Sequence, residues 1–283
     1  MTDPTTPGDL ASEASEPVSG ERPPSGPMSG GGEPSGEPEE ATRQDGGSAS
    51  PDTPREIRRY QAAVSAGAMA LAWANQEQAP SGAMVVVTHE VNPLGRLSQP
   101  WTVPAGSTLA FAVVLRPKLS AEEADVPWLL GALAVADGIE AAGGPPVVAA
   151  WPDLVVDAGD RRIVAAIKTD VQLGPGKVRV AVVTARIDLT ADAEDRREDL
   201  LSAIGAQLDL RTAELADGVA GPLAAYERRC GTLGHNLKIR LIPRGELRAH
   251  ASAIDPLGRL ECRSPSGMVE RVSVNQVRQV EQL

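Results

Sequence analysis

The sequence has two cysteines, Cys230 and Cys262. A pair this sparse makes neither a disulfide framework nor a zinc site, so a cytoplasmic protein with ordinary thiols is the expectation. No run of 18 apolar residues occurs, which excludes a helical membrane span. The opening Met1-Thr2-Asp3-Pro4 shows no basic stretch leading into an apolar one, so no secretory signal is read there. The three histidines, His89, His235 and His250, lack metal-ligand spacing, and no metal site is expected. Neither a Gly-x-Ser-x-Gly elbow nor a Walker loop is present. Gly174-Pro175-Gly176 reads as a turn, not a dinucleotide fingerprint. Aromatics are scarce, with four Trp, two Tyr and one Phe, and all lie beyond position 59. Positive charge is short too: 27 Lys and Arg face 38 Asp and Glu, a net of −11. A nucleic-acid protein would present a basic field.

The acidity is local. Residues 1–54 carry 11 acidic and two basic side chains, whereas residues 55–283 carry 27 and 25. The same first segment holds 10 Pro, 9 Gly and 13 Ser or Thr with almost no large apolar residue. Such a stretch cannot bury enough surface to offset chain entropy. Residues 1–54 are therefore expected to be a disordered acidic tail, either a solubilising or docking extension or one with no task.

Order is expected from Arg55. Residues Ile57 to Val64 fit helix or strand, and Ala66 to Glu77 is dense in helix formers. Ala83 to His89 and Leu109 to Leu115 are continuous apolar runs of strand length, as expected of strands buried on both faces. Ser120 to Ala142 predicts a helix capped by Ser120, with Glu122 and Glu123 in its first turn. Val147 to Val156 predicts a strand interrupted at Trp151-Pro152-Asp153. Two hairpins follow, turning at Asp157 to Asp160 and at Gly174 to Gly176. Residues 192–228 predict helix with a break near Gly218 to Pro222. From Thr232 short runs alternate with Gly turns: Leu237 to Leu241, Leu247 to Ile254, Arg259 to Cys262 and Val269 to Val272. These predict a small antiparallel barrel, with Leu237 to Leu241 as an exposed edge open to a partner.

The order of these pieces resembles a biotin–protein ligase of the type without a DNA-binding domain. The residues that carry the likeness are Gly95-Arg96…Trp101, Leu115-Arg116-Pro117, Trp151-Pro152, Tyr226 to Gly234 with its Cys230-Gly231-Thr232-Leu233-Gly234, and the turn Ile254 to Leu260. The resemblance spans about residues 57–283. It implies an α/β fold, a mixed sheet with helices mainly on one face, followed by a small SH3-like barrel. The division expected is a tail at 1–54, a ligase-like domain at 55–231 and the barrel at 232–283. The implied activity is ATP-dependent biotinylation of a carrier-domain lysine through biotinyl-AMP. Biotin and ATP with Mg are the implied ligands, and a biotin-carrier domain or another protein the implied partner, with no nucleic acid and no membrane.

Departures from the family fall on the chemistry. The Ser-Thr-Asn motif reads Ser65-Ala66-Gly67, and the following Gln is Glu90. The Gly-Arg-Gly-Arg-x-Gly-Arg-x-Trp loop reads Pro93-Leu94-Gly95-Arg96-Leu97-Ser98-Gln99-Pro100-Trp101. Lys-Trp-Pro-Asn-Asp becomes Ala150-Trp151-Pro152-Asp153-Leu154. The hairpin lysine is Arg162, and Gly-x-Gly-x-Asn becomes Thr184-Ala185-Arg186-Ile187-Asp188. Attack of a carboxylate on an α-phosphate needs preorganised cations and backbone N–H groups. Pro93 removes an N–H and fixes φ, and Leu94 and Gln99 remove two cations. What the resemblance leaves is a set of candidates. Arg162 and Lys168 are candidate catalytic cations, Arg162 being either a phosphate clamp or a solvated hairpin residue. Ser65, Glu90, Gly95, Arg96, Trp101, Arg116 and Trp151 are candidate ligand-binding residues; Arg96 is alternatively a loop charge in solvent, Trp101 and Trp151 packing residues, and Arg116 a salt-bridging residue between domains. The expected pocket lies where the 92–100 loop, Trp151 and Arg162 meet. The chain is then either a divergent ligase or a silent homologue serving as a protein- or ligand-binding module.

Overall fold

The computed structural model describes residues 55–101, 108–189 and 196–283. The expected acidic tail lies outside the described residues. Strand β1 (Ile57–Ala63) leads through Ser65 into helix α1 (Ala66–Gln76), and β2 (Met84–Glu90) and β3 (Thr108–Leu115) follow. Next come α2 (Val126–Ala141), the short hairpin β4 (Val147–Ala150) and β5 (Leu154–Asp157), and the long hairpin β6 (Ile163–Gly174) and β7 (Lys177–Asp188). These strands make a seven-stranded sheet in the order β1-β2-β3-β7-β6-β5-β4. β1 pairs parallel with β2, and the other neighbours are antiparallel.

β2, β3 and β7 are apolar on both faces because both faces are covered. α1 lays Ala66, Ala70, Trp73 and Ala74 on Val85, Val87, Ala112, Val114, Val180 and Val182. The opposite face, with Phe111, Val113, Ile167, Val183 and Ala185, packs under α2 in the main core. α2 is apolar around most of its circumference and nearly all of it is buried. α3 (Arg197–Glu214) and α4 (Ala220–Arg229) cover it from outside. Gly138 of α2 lies directly against the backbone of Ile204, where an added Cβ would collide. Helices thus lie mainly on one face, as expected.

Two local readings change, and a third falls within its expected span. Ser120 and Glu123 do form a reciprocal cap, but on a single 3-10 turn, and α2 starts only at Val126. Pro127 in the first turn cannot donate to a preceding carbonyl, so it restarts the helix there. The Trp151 to Asp153 interruption is the turn between two antiparallel strands, not a kink in one strand. The break between α3 and α4 falls at Gly218, whose φ is +101°.

The chain ends in a five-stranded antiparallel sheet, β8 (Asn236–Leu241), β9 (Glu246–Ile254), β10 (Leu260–Arg263), β11 (Val269–Val272) and β12 (Val277–Gln282), in the order β11-β10-β9-β8-β12. β12 was not anticipated, since only Val277 and Val280 in it turn inward. Its pairing with β8 corrects the edge reading: Leu237 to Leu241 is an interior strand, and an edge falls at β11. This sheet seats on the α/β body through polar contacts. Asp125, ahead of α2, accepts from Ser273 Oγ at 2.9 Å and from the Val274 N–H at 3.2 Å. Glu227 of α4 accepts from the Ile254 N–H at 2.8 Å.

Candidate functional site

The candidate residues fall into separate groups. The first lies at the head of α1. Ser65 adopts extended backbone and its Oγ accepts from the Ala68 N–H at 3.1 Å, an N-cap. Glu90, at the end of β2, turns its side chain inward to 2% exposure. One carboxylate oxygen accepts from the Ala66 N–H at 2.8 Å, and the other meets Arg186 Nη1 at 3.4 Å. Arg186 comes from β7, on the face that α1 covers, with its side chain 8% exposed. Gly67 packs so closely on Thr184 that an added Cβ would lie 2.5 Å from Thr184 Oγ1. Lys168 of β6 sits opposite Thr184 in register and pairs with Asp170 at 3.1 Å.

The second group is the loop after β2. Leu94 and Pro100 bridge across it, and the Gly95 N–H donates to Gln99 O at 2.8 Å. The Gly95 Cα packs on the indole of Trp101, at a distance where a Cβ would reach 3.3 Å. Arg96 turns away from α1. Its Nε donates to Asp153 Oδ2 at 2.9 Å, Nη1 donates to Val277 O, and Nη2 reaches Arg278 O at 3.4 Å. Its side chain is 8% exposed. The guanidinium therefore ties the loop to the β4–β5 turn and to β12. The Trp151 side chain beside Asp153 is buried, and the Trp151 backbone N–H donates to Thr232 Oγ1 at 2.9 Å. Trp151 walls the junction of the two sheets.

Arg162 stands apart from both. It pairs with Asp188 at 3.3 Å, half exposed. The pair lies on the rim of a cleft floored by Ile139, Val164, Ile187 and Leu200. Neither Arg96 nor Trp151 lines that cleft, so the three residues expected to share one pocket do not share this one. Arg116 is remote from all of these. β2 and β3 are antiparallel with Met84 opposite Val113, so Arg116 lies at the end of the sheet away from Glu90. There its Nε donates to Ala79 O and its Nη2 to Ala74 O, closing the C-terminus of α1. Burial, with Arg179 nearby, lowers its pKa.

Sequence reasoning missed the weight of Arg186. A cation following the apolar run Val180 to Val183, at a position buried in the strand, was the available signal, since a charge there must be paired. Among the described residues no cluster of three or more His, Cys, Asp or Glu could hold a metal ion, and no helix is long and apolar enough to cross a membrane.

The fold is a seven-stranded mixed sheet with helices on both faces, joined to a small antiparallel sheet. No protein-family model matches the chain. It is 29% identical over 122 residues to the bifunctional ligase/repressor BirA of Bacillus spizizenii, covering 43% of this chain and 37% of that protein. The Bacillus subtilis BirA matches at 28% over the same length. The chain thus matches little more than a third of the length of these curated relatives. Among solved structures, the biotin protein ligase of Aquifex aeolicus in complex with biotin and ATP aligns with a TM-score of 0.62 at 15% identity, covering 81% of this chain and 99% of that one. A biotin protein ligase-like protein of unknown function from a Silicibacter species aligns with a TM-score of 0.57 at 13% identity, covering 78% and 95%. The chain is thus similar in sequence to these ligase/repressors over part of its length, and it shares the fold of the biotin protein ligase structures over about four-fifths of it.

Proposed function

We propose that this chain is a biotin protein ligase relative whose ligase turnover is lost or residual, and which acts as a binding module. The observation that carries the reading is Arg96. It is the one arginine kept from the family's loop, and it is committed to Asp153 and to two carbonyls of β12. The other candidate cations are committed as well, Arg162 to Asp188 and Lys168 to Asp170. Stabilising the charge that builds on a transferred phosphoryl group needs cations aimed at it before the reaction. The group that the resemblance assigns to biotin fits it poorly: Glu90 and Arg186 occupy the space between the head of α1 and the sheet. No step through biotinyl-AMP is derived for this chain.

The module reading takes residues 55–231 as the ligase-like part and 232–283 as a barrel facing a protein partner, of which a biotin-carrier domain is the natural class. Both cysteines are free and buried, which suits a reducing compartment such as the cytoplasm. A second reading, a divergent ligase, is favoured by one feature: Arg162 is half exposed at the rim of an apolar cleft. Purified full-length chain incubated with biotin, ATP, Mg²⁺ and a carrier domain separates the two. Transfer at background rate is expected. Turnover that Arg162→Ala abolishes would restore the divergent ligase.

A further inference from the structure

Arg186 is a buried cation with too little to hold. A guanidinium has five N–H donors, yet the contact made here is a single 3.4 Å approach to Glu90, and the buried Nε has no partner. Beside it, Thr184 Oγ1 is also buried without a partner. The opposite wall is the first turn of α1, an 11-residue helix whose Ala66 N–H points at the Glu90 carboxylate. A helix N-terminus and a guanidinium converging on one carboxylate is how proteins receive a bound organic acid. Here the carboxylate belongs to the chain.

We propose that the head of α1 and Arg186 form a receptor for a small monocarboxylate, closed by Glu90 as a tethered occupant. The side chain of Glu90 is 2% exposed, so the chain fills the site without any ligand. This deepens the binding-module reading and rests on it in one respect, that the position no longer fits biotin. It also names the chemistry that matters: a ligand able to enter must replace one carboxylate with another. Lys168 is not part of the receptor, because Asp170 already compensates it.

Removing the tether should open the site to free acids. Full-length Glu90→Ala is titrated with sodium formate and sodium acetate while thermal unfolding is followed, with sodium chloride and acetamide as controls at matched concentration. Formate and acetate are expected to raise the midpoint saturably, by roughly 5 °C at a hundred-fold excess over the dissociation constant. Chloride and acetamide should do little, and the unaltered chain should not respond. Adding Arg186→Met to Glu90→Ala should remove the response. Glu90→Gln keeps the shape without the charge, and serves where Glu90→Ala folds too poorly to titrate. Formate should raise its midpoint through the free Nε edge of Arg186. Formate-insensitive Glu90→Ala and Glu90→Gln, or an equal response in the unaltered chain, would overturn the proposal. Biotin transfer by the unaltered chain would instead overturn the proposed function and leave this titration standing.

Discussion

Single residues here hold the loop and the two sheets together. Arg96 is the clearest case, because its three contacts join the loop, the β4–β5 turn and β12. Arg96→Ala leaves Asp153 without its partner and should lower stability by about 2–3 kcal/mol, readable as a drop in the thermal midpoint. An unchanged midpoint would mean that the latch is ornamental. The loop also holds Leu97 and Ser98 at φ values of +55° and +56°. Ser98 stands at a glycine position of the resembled motif, and its left-handed φ is one that glycine adopts without strain. Ser98→Gly should therefore be neutral to stabilising, by up to about 1 kcal/mol. A clear loss in denaturant unfolding would show that the serine side chain supports the loop. The places of Gly95 and Trp101 in the loop were legible from sequence, and their packing on one another was not. The destination of Arg96 was not, because its partners Asp153 and Val277 are set by tertiary packing and not by spacing.

At the scale of elements, the junction between α2 and the C-terminal sheet is built on buried Asp125. Burial, the largest influence, raises its pKa, and the bonds from Ser273 and Val274 only partly offset this. For a carboxyl raised above its unfolded value, the stabilising contribution is full below the unfolded pKa and is lost as pH rises through the folded one. Asp125→Asn should thus be at least as stable at neutral pH and should flatten stability between about pH 4 and 7. Asp125→Ala, which removes both acceptors, should cost about 2 kcal/mol. Urea unfolding of both variants across that range checks the pair, and Asn costing as much as Ala at neutral pH would contradict it. Apolar strand runs and the helix-former run of α1 made most of the α/β elements legible. The start of α2 was misplaced because Ser120 and Glu123 make a genuine cap one turn too early. β12 escaped because its two inward valines leave no alternation to read.

For the molecule as a whole, the likeness to biotin protein ligases lies in the sheet order, the helix placement and the second sheet. On the proposed function, the departures that matter fall at the head of α1 and in the loop after β2. Glu90 and Arg186 take up the space at the head of α1, and the surviving loop arginine holds two sheets together. Resemblance made the fold readable in advance, since packing tolerates many apolar exchanges. It could not reveal that substituted positions find each other: Glu90 and Arg186 are far apart in sequence and meet only because β2, β3 and β7 are neighbours. The central claim is that the family's ligand position is filled by the chain itself. Titration calorimetry of the full-length protein with a non-hydrolysable biotinyl-adenylate analogue tests it most directly. The account predicts no saturable heat; saturable binding that Arg186→Ala or Arg96→Ala weakens would contradict it.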